Sequence, residues 1–307
     1  MSCSIDNSQK ITPPASSFGF SQKLSDYWKL TKPEVNFLVV MSALAGFYLG
    51  ASGPVHFKLL LNTLLGTLLV ASGTATLNEY LERAHDARMR RTSNRPLPAG
   101  RLTAREALIF GLLLSAAGGI YLAWTANALA SLLAILTLLS YLALYTPLKR
   151  RTPFCTLVGA VPGAMPPLIG WAAASGSLSF GAWVLFLMLF LWQFPHFTAI
   201  VWMYRHDYSR AGYLMLPPAD HKGRFMATQV VGFSLLLIPI SIIPALTGRT
   251  GQVYLFGALI LGILFVYYGV RLAISRSNSV ARRVLLASII YLPLVYALMM
   301  LDKLPVY

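Results

Sequence analysis

Three oxygen-bearing side chains recur at every fourth position in the polar segment that follows the second apolar run. Asn78, Glu82 and Asp86 lie at i, i+4 and i+8. If that run continues as a helix, all three side chains project from one face. Carboxylate and amide oxygens are the ligands that Mg²⁺ prefers while it also binds substrate phosphates. The spacing therefore indicates a candidate magnesium site, although it is equally typical of an amphipathic helix that faces water and headgroups.

Basic side chains follow the acidic segment directly. They are Arg88, Arg90, Arg91 and Arg95. A metal held by carboxylates and flanked by arginines matches a diphosphate, because both would neutralise its charge. The end of the fourth run adds Tyr145 and Lys149, which share a helical face, with Arg150 beside them. Lys149 and Arg150 could also contact a diphosphate, although any transmembrane helix end carries such cations as anchors.

One histidine lies inside the sixth apolar run. His196 is about seven residues, or roughly 10 Å, from the end of that run at the rise of a helix. An ionisable side chain inside a transmembrane helix indicates a functional role, and neutral imidazole is a common metal ligand. The neighbouring side chains Trp192, Phe194 and Phe197 would give a flat ligand an aromatic surface. The alternative is a histidine that hydrogen-bonds to a neighbouring helix.

Nine apolar runs must position these side chains. The chain has 307 residues, of which 56% are hydrophobic and 11% charged, whereas soluble domains are about 25% charged. This composition argues against a soluble globule, and it assigns the basic residues to membrane helix ends rather than to nucleic-acid binding. The sequence predicts an all-α integral membrane protein, a bundle of nine transmembrane helices. The runs lie near 35–53, 57–77, 104–125, 127–147, 155–174, 180–203, 226–247, 251–270 and 284–301.

The basic residues also predict the orientation. Of the 25 Lys and Arg, 22 lie before the first run or after an even-numbered one. By the positive-inside rule the N-terminus is cytoplasmic and the C-terminus lies outside. Residues 1–30 lack the apolar core of a signal peptide, which indicates a bacterial inner membrane. We expect a disordered cytoplasmic tail that leads into a segment at the membrane interface, Tyr27–Lys32. Residues 31–307 are then one membrane domain, with cytoplasmic active-site loops near 78–105 and 204–225.

Four segments resemble one family of membrane enzymes. The pattern Asn78-x3-Glu82-x3-Asp86-x2-Met89-x-Arg91-Thr92-x2-Arg95-Pro96-Leu97 is similar to the first motif of the UbiA-type intramembrane prenyltransferases, with Glu82 in place of an aspartate. It resembles most closely the branch of this family that makes haem O. Two other matching segments are Leu30-Thr31-Lys32-Pro33 and Tyr145-x3-Lys149-Arg150-x-Thr152. The fourth is Pro195-His196-Phe197 followed by Asp207-Tyr208-x2-Ala211-Gly212-x2-Met215-Leu216-Pro217.

The resemblance implies a farnesyl transfer from farnesyl diphosphate to a vinyl group of protohaem IX, which gives haem O and diphosphate. Mg²⁺ would be the cofactor and haem a substrate rather than a prosthetic group. The implied metal ligands are Asn78, Glu82, Asp86 and Asp207. The implied substrate ligands are Arg88, Arg91, Arg95, Tyr145, Lys149, Arg150 and Arg205 for the diphosphate and His196 for haem. Membrane lipid surrounds such an enzyme, and a haem A synthase or terminal oxidase assembly proteins are its candidate partners.

Two other classes fit the sequence less well. A prenyltransferase for an aromatic acid or quinone precursor would carry a second Asp-rich loop. The loop after the sixth run offers one candidate acid, Asp207, because Asp220 lies beyond Pro217-Pro218 and is assigned to the loop surface. A secondary transporter would place polar groups near the bilayer midplane, whereas the acids here cluster at one surface. The number of bound Mg²⁺ ions stays open at the level of sequence.

Overall fold

The fold is a bundle of long apolar helices. The computed structural model describes residues 19–217, 220 and 222–304, which form helices, turns and an isolated bridge between Thr250 and Lys303. Within these ranges nine helical spans are long and apolar enough to cross a membrane, which confirms the predicted number. The spans are Pro33–Gly50, Phe57–Asp86, Ala104–Thr125, Ala128–Leu148, Cys155–Ser175, Phe180–Met203, Arg224–Leu246, Gln252–Ser275 and Asn278–Leu301.

Most spans are single helices. These are α2 (Pro33–Gly50), α3 (Phe57–Asp86), α4 (Ala104–Thr125), α9 (Phe180–Met203), α11 (Arg224–Leu246), α12 (Gln252–Ser275) and α13 (Asn278–Leu301). The fourth span consists of α5 (Ala128–Ser140), a π-helical turn (Tyr141–Tyr145) and α6 (Thr146–Leu148). The fifth consists of α7 (Cys155–Gly163) and α8 (Pro166–Ser175). Two short helices, α1 (Phe20–Leu30) and α10 (Arg205–Arg210), lie outside the spans.

Small residues determine how the fifth span packs. Pro166 and Pro167 begin α8, where a missing N–H costs no helical hydrogen bond. This start interrupts the span, as the prolines predict. α8 then contacts α2 backbone to backbone, because Gly46 faces the Pro167 carbonyl and Gly170 faces the Ala43 carbonyl. A side chain at either glycine would collide with that carbonyl, so the small residues permit the compact packing expected of this bundle.

The second span continues beyond its apolar run. Hydropathy alone ends the run at residue 77, but α3 stays helical through Asp86. Its buried side chains include Asn78, Glu82 and Asp86, so the condition on which the predicted acidic face depended is met. Turns over residues 87–102 then lead to Thr103, which caps α4 in a reciprocal arrangement with Glu106. The acidic face and the loop after it therefore lie at one end of the bundle.

The segment before the first span is helical rather than disordered. The prediction of a disordered tail over residues 1–30 is wrong for Phe20–Leu30, and residues 1–18 lie outside the described part of the chain. Phe20, Leu24 and Trp28 are exposed at i, i+4 and i+8, while Asp26 on another face is completely buried. α1 is thus an amphipathic helix whose polar face packs on the protein.

Candidate active site

The acidic face of α3 forms the base of the site. Asn78, Glu82 and Asp86 are 2%, 7% and 3% exposed, so all three point into the protein at the same end of α3. Glu79 is 1% exposed and belongs to the same buried face. The spacing analysis did not include Glu79, although its position three residues before Glu82 places it on that face. Four oxygen-bearing side chains are therefore buried along one face at this end of α3.

Two cations from other segments neutralise these carboxylates. Lys149 Nζ lies 2.8 Å from Glu82 Oε1, and Arg95 Nη1 lies 2.6 Å from Asp86 Oδ2. Burial by itself would lower the pKa of Lys149, but the Glu82 carboxylate raises that pKa well above its usual range. Lys149 is therefore charged at neutral pH. The structure brings both predicted cations to the predicted acids, which supports the diphosphate interpretation over that of simple membrane anchors.

A third cation enters the site from the link between α1 and α2. Lys32 Nζ donates to Asn78 Oδ1 at 3.4 Å, and Asn78 Nδ2 donates to Thr146 Oγ1 at 3.2 Å. Burial, followed by the Arg95 charge, lowers the pKa of Lys32 to about 8. Sequence reasoning did not place Lys32 in the site. The segment Leu30-Thr31-Lys32-Pro33, which matches a family motif at the start of the first span, could have indicated this role of Lys32.

Aromatic side chains close the site around Lys149. The Lys149 ammonium lies 4.4 Å from the centre of the buried Tyr145 ring, a cation–π contact. Tyr213 comes from the loop after α10, and its buried hydroxyl has no hydrogen-bond partner among the described residues. One carboxylate oxygen of Glu79 is likewise buried and unpartnered. Buried polar atoms without partners are costly, so both atoms point to a ligand that completes the site.

The remaining predicted ligands are placed less uniformly. Asp207 is buried and pairs with Arg210 at 2.8 Å, whereas Arg205 donates to the Trp202 carbonyl and to Asn278. Within the described ranges no three His, Cys, Asp or Glu side chains group as they would around a metal ion. This holds for Glu79, Glu82 and Asp86 as well as for any set that includes Asp207. Arg205 is directed towards α13.

The exposed arginines divide into two groups. Arg91 stacks 5.3 Å from the centre of the Tyr204 ring and donates to the Tyr208 hydroxyl at 3.2 Å. Arg91 thereby connects the loop after α3 to α10. Arg88 and Arg150 are exposed, and neither forms an ion pair with a described residue. Both remain free to contact a polar substrate at the rim.

His196 contacts a neighbouring helix. Its Nδ1 lies 2.7 Å from Ser288 Oγ in α13, and its ring stacks on Trp192 at 4.6 Å between centres. From the sequence, a hydrogen bond to a neighbouring helix is the alternative to haem binding, and Nδ1 makes such a bond. A neutral imidazole has a second nitrogen, and no hydrogen bond to a described residue involves Nε2. Haem ligation by His196 stays a prediction.

Comparison with known proteins identifies the family. The model of the UbiA prenyltransferase family matches residues 39–293, most of the chain. The chain belongs to the UbiA prenyltransferase family. Membership confirms the resemblance that the four motifs indicated. It also places the buried face of α3 and the end of the fourth span, which carry two of those motifs, inside the matched region.

Relatives within the UbiA family extend over nearly the whole chain. A protoheme IX farnesyltransferase from Solibacter usitatus is 52% identical over 91% of this chain and 99% of its own length. A protein of the same name from Koribacter versatilis is 43% identical over 93% and 95%. The structure of a UbiA homologue from Archaeoglobus fulgidus, bound to GPP and Mg²⁺, has a TM-score of 0.63 at 16% identity, over 89% of this chain and 99% of the other. The last comparison shows a shared fold.

Proposed function

We propose that the protein transfers the farnesyl group of farnesyl diphosphate to a vinyl group of protohaem IX and so makes haem O. The decisive observation is the buried face of α3, whose carboxylates meet Lys149 and Arg95 at one end of an apolar bundle. The relatives named protoheme IX farnesyltransferase support the choice of substrates. Of the two acids in the second loop, Asp220 accepts from two backbone N–H groups at the start of α11. Asp207 is then the one acid left for a substrate, which argues against a quinone-type enzyme.

Mg²⁺ fits the oxygen donors of this site. Asn78, Glu82 and Asp86 would hold it, and the unpartnered oxygen of Glu79 lies on the same buried face. When bound, the ion supplies positive charge that stabilises a departing diphosphate. Asp207, which is buried beside Arg210 in the second loop, would hold a metal ion that binds the diphosphate.

The chain's own cations perform the rest of the leaving-group chemistry. Lys149 and Arg95 are held by carboxylates at ion-pair distance, and Lys32 lies next to Asn78. Diphosphate oxygens are stronger competitors for these donors than a carboxylate already shared with a metal ion. Lys149 and Arg95 would therefore turn to the diphosphate and stabilise the charge that develops when its C–O bond breaks.

The apolar bundle accounts for the second half of the reaction. The C–O electron pair leaves with the diphosphate, and the haem vinyl carbon forms a bond to C1 of the farnesyl chain. Water then adds to the resulting cation and loses a proton, which gives the hydroxyethylfarnesyl group. Helices above the site, lined by apolar side chains, would surround the farnesyl chain and exclude bulk water until that step.

The charge distribution supports a location in the bacterial inner membrane with the site on the cytoplasmic side. Among the described residues, 21 of the 24 Lys and Arg lie at the end of the bundle that carries the site. The N-terminus is then cytoplasmic and the C-terminus external. Diphosphate would leave to the cytoplasm, and haem O would pass within the membrane to a haem A synthase or a terminal oxidase.

Reconstitution provides the direct test of the proposed function. The purified protein in liposomes, given farnesyl diphosphate, protohaem IX and Mg²⁺, should yield a haem whose mass has increased by a farnesyl group plus a hydroxyl group. Chelation of divalent ions with EDTA should stop product formation, and added Mg²⁺ should restore it. Transfer to 4-hydroxybenzoate instead of haem would assign the enzyme to the quinone type and contradict the proposal.

An ion pair between α1 and the loop after α3 indicates that α1 helps to position Arg95. Arg101 Nε donates to both oxygens of Asp26 at 3.0 and 3.1 Å, and its Nη2 donates to the Asn94 carbonyl at 2.9 Å. Asn94 precedes Arg95, which pairs with Asp86. We expect Asp26→Asn to lower kcat about tenfold. Without the carboxylate the loop would shift, and the Arg95 guanidinium would move away from its position beside Asp86.

Lys23→Gln provides the control for the Asp26 prediction. It removes the other tie of α1, an ion pair with Glu106 at 3.3 Å that does not touch the loop at Asn94. Its steady-state kinetics should match those of the wild type. Equal losses in the two variants would mean that α1 only stabilises the fold, and an unchanged kcat in Asp26→Asn would contradict the positioning role.

His196→Ala tests the predicted haem contact. If Nε2 approaches the haem, the variant should raise the KM for protohaem about tenfold and leave the KM for farnesyl diphosphate unchanged. Difference spectra of bound haem should shift as well. Ser288→Ala is the matched variant, since it removes the hydrogen bond to Nδ1 and keeps the imidazole. A wild-type haem spectrum and KM in His196→Ala would leave His196 with a structural role only.

A further inference from the structure

A groove lies between α12 and α13 on the outer surface of the bundle. It holds about 140 Å³ of free space, and its aliphatic and aromatic wall opens outwards, since Leu264 and Ile290 are 49% and 57% exposed. One water molecule needs about 15 Å³ of such space, so the groove has room for a segment of hydrocarbon chain. The other residues that form its wall are Leu261, Phe265, Tyr268, Ala287 and Tyr291.

The packing of α12 on α13 brings two arginines to one end of the groove. The two helices are joined by two residues and run antiparallel, and Phe265 stacks on Tyr291 with 5.3 Å between ring centres. Arg271 lies six residues beyond Phe265, and Arg283 lies eight residues before Tyr291. At the rise of a helix these separations are about 9 and 12 Å. The two arginines therefore lie at similar depth.

The helical spacing also places both arginines on the faces that form the groove. On α12, Arg271 follows Tyr268 by three residues, and on α13, Arg283 precedes Ala287 by four. Residues with this spacing share one face of a helix. Each helix of the groove thus contributes one arginine to its end.

The protein provides no counter-charge for these arginines. α12 and α13 contain neither Asp nor Glu, and Arg271 and Arg283 form no ion pair with a described residue. Both are exposed. The Arg271 guanidinium donates to the Tyr267 hydroxyl at 3.4 Å, which satisfies one of its five N–H groups. Two guanidinium groups beside an apolar groove favour an anion that is attached to an apolar chain.

The arginines also lie where lipid headgroups are expected. Arg205 of α10 donates to Asn278 at the start of α13, so these ends of α12 and α13 belong to the end of the bundle that carries the acidic site. The positive-inside rule assigns that end to the cytoplasmic leaflet, whose surface potential is negative. A phospholipid has its phosphate at the headgroup level and its acyl chains deeper in the membrane, in the same order as the arginines and the groove.

A second copy of the chain fits this surface less well. Copies in one membrane share one orientation, so a two-fold axis between them would run along the membrane normal. Such an axis would place Arg271 and Arg283 at the same depth as the same two residues of the second copy. Because neither helix carries an acid, like charges would then face each other.

We propose that this groove binds an anionic phospholipid. One acyl chain would lie between α12 and α13, and Arg271 and Arg283 would bind the phosphate, since a guanidinium can donate two parallel hydrogen bonds to phosphate oxygens. A zwitterionic lipid has the same phosphate, but its ammonium group offsets the charge that attracts the arginines. Phosphatidylglycerol should therefore bind more tightly than phosphatidylcholine with the same chains.

Native mass spectrometry of the detergent-solubilised protein, titrated with each of these two lipids, tests the site. The wild type should retain one phosphatidylglycerol and bind it about tenfold more tightly than phosphatidylcholine. Arg271→Gln and Arg283→Gln should each lower the affinity for phosphatidylglycerol about fivefold. Arg282→Gln is the matched control, because Arg282 is exposed but lies about 100° around the helix from Arg283. Equal affinity for the two lipids, or equal losses in all three variants, would overturn the proposal.

Ala287→Leu tests the acyl chain in the groove. The larger side chain would fill part of the free space, so the affinity for phosphatidylglycerol should fall several-fold. Ile289→Leu is the control, since Ile289 is exposed on another face of α13, and its affinity should be that of the wild type. Unchanged affinity in Ala287→Leu would contradict the proposal. A wild-type dimer that retains no lipid and dissociates in Ala287→Leu would assign the groove to a second copy instead.

Discussion

Replacing Asp86 by asparagine is expected to lower kcat about 10²- to 10³-fold while the protein remains folded in the membrane. The substitution keeps the size of a side chain that is 3% exposed. It removes the charge that holds Arg95 at 2.6 Å and that would bind Mg²⁺. Loss of one preorganised charge at a developing anion has an effect of this size. The measurement is steady-state farnesyl transfer in liposomes, with circular dichroism to confirm helicity.

A magnesium titration makes the Asp86 experiment specific. The Mg²⁺ concentration for half-maximal transfer should rise in Asp86→Asn, because one of the proposed ligands has become a neutral amide. Glu34→Gln is the matched control, since Glu34 is an exposed carboxylate at the same end of the bundle. It should titrate like the wild type. Wild-type turnover in Asp86→Asn would remove the metal site from the proposal.

Lys149→Gln should lower kcat/KM for farnesyl diphosphate about 10²-fold, since it removes a diphosphate ligand from a site closed to water. It also leaves Glu82 buried without its partner at 2.8 Å, which destabilises a protein strongly. Arg151→Gln is the control. Arg151 is exposed and two residues away, and the sequence assigns it to anchoring. Its kinetics should not change.

The double variant Glu82→Gln/Lys149→Gln separates the two consequences. With both charges gone, no ion is left unpaired, so the thermal stability should return towards that of the wild type. Transfer should stay low, because both the proposed metal ligand and the proposed phosphate ligand are absent. If Lys149→Gln is active whenever it is folded, Lys149 serves only as the counter-ion of Glu82.

Lys149 and Arg95 would have two roles, as partners of the buried carboxylates and as ligands of the diphosphate. In the chain itself, Glu82 and Asp86 hold Lys149 and Arg95 inside a buried pocket that would otherwise disfavour charge. In the proposed mechanism the same cations would bind the diphosphate. An exchange of carboxylate for phosphate therefore requires little rearrangement of the protein, which is the form of preorganisation that electrostatic catalysis needs.

Local properties of the sequence were sufficient for the spans and for the acidic face. The length of each apolar run predicts a helix across the bilayer, since backbone groups in lipid must bond within their own segment. The four-residue spacing of Asn78, Glu82 and Asp86 predicts one face wherever the helix continues. Both properties depend on neighbours in the chain alone, so the nine spans and the shared burial of these three residues are as predicted. The helix over Phe20–Leu30 was not predicted, because too few of its residues are apolar for the segment to be recognised by hydropathy.

The pairing of charges was decided only by the tertiary structure. Lys149 meets Glu82 across 67 positions in sequence, and Lys32 meets Asn78 across 46. Arg205, beside Asp207 in sequence, instead bonds to Asn278 across 73 positions. Such contacts depend on which helix ends pack together, and that packing follows from shape complementarity at glycines such as Gly46 and Gly170 rather than from any local pattern. The sequence thus determined which residue types are available at the membrane boundary, and the packing of the bundle determined which of them share a site.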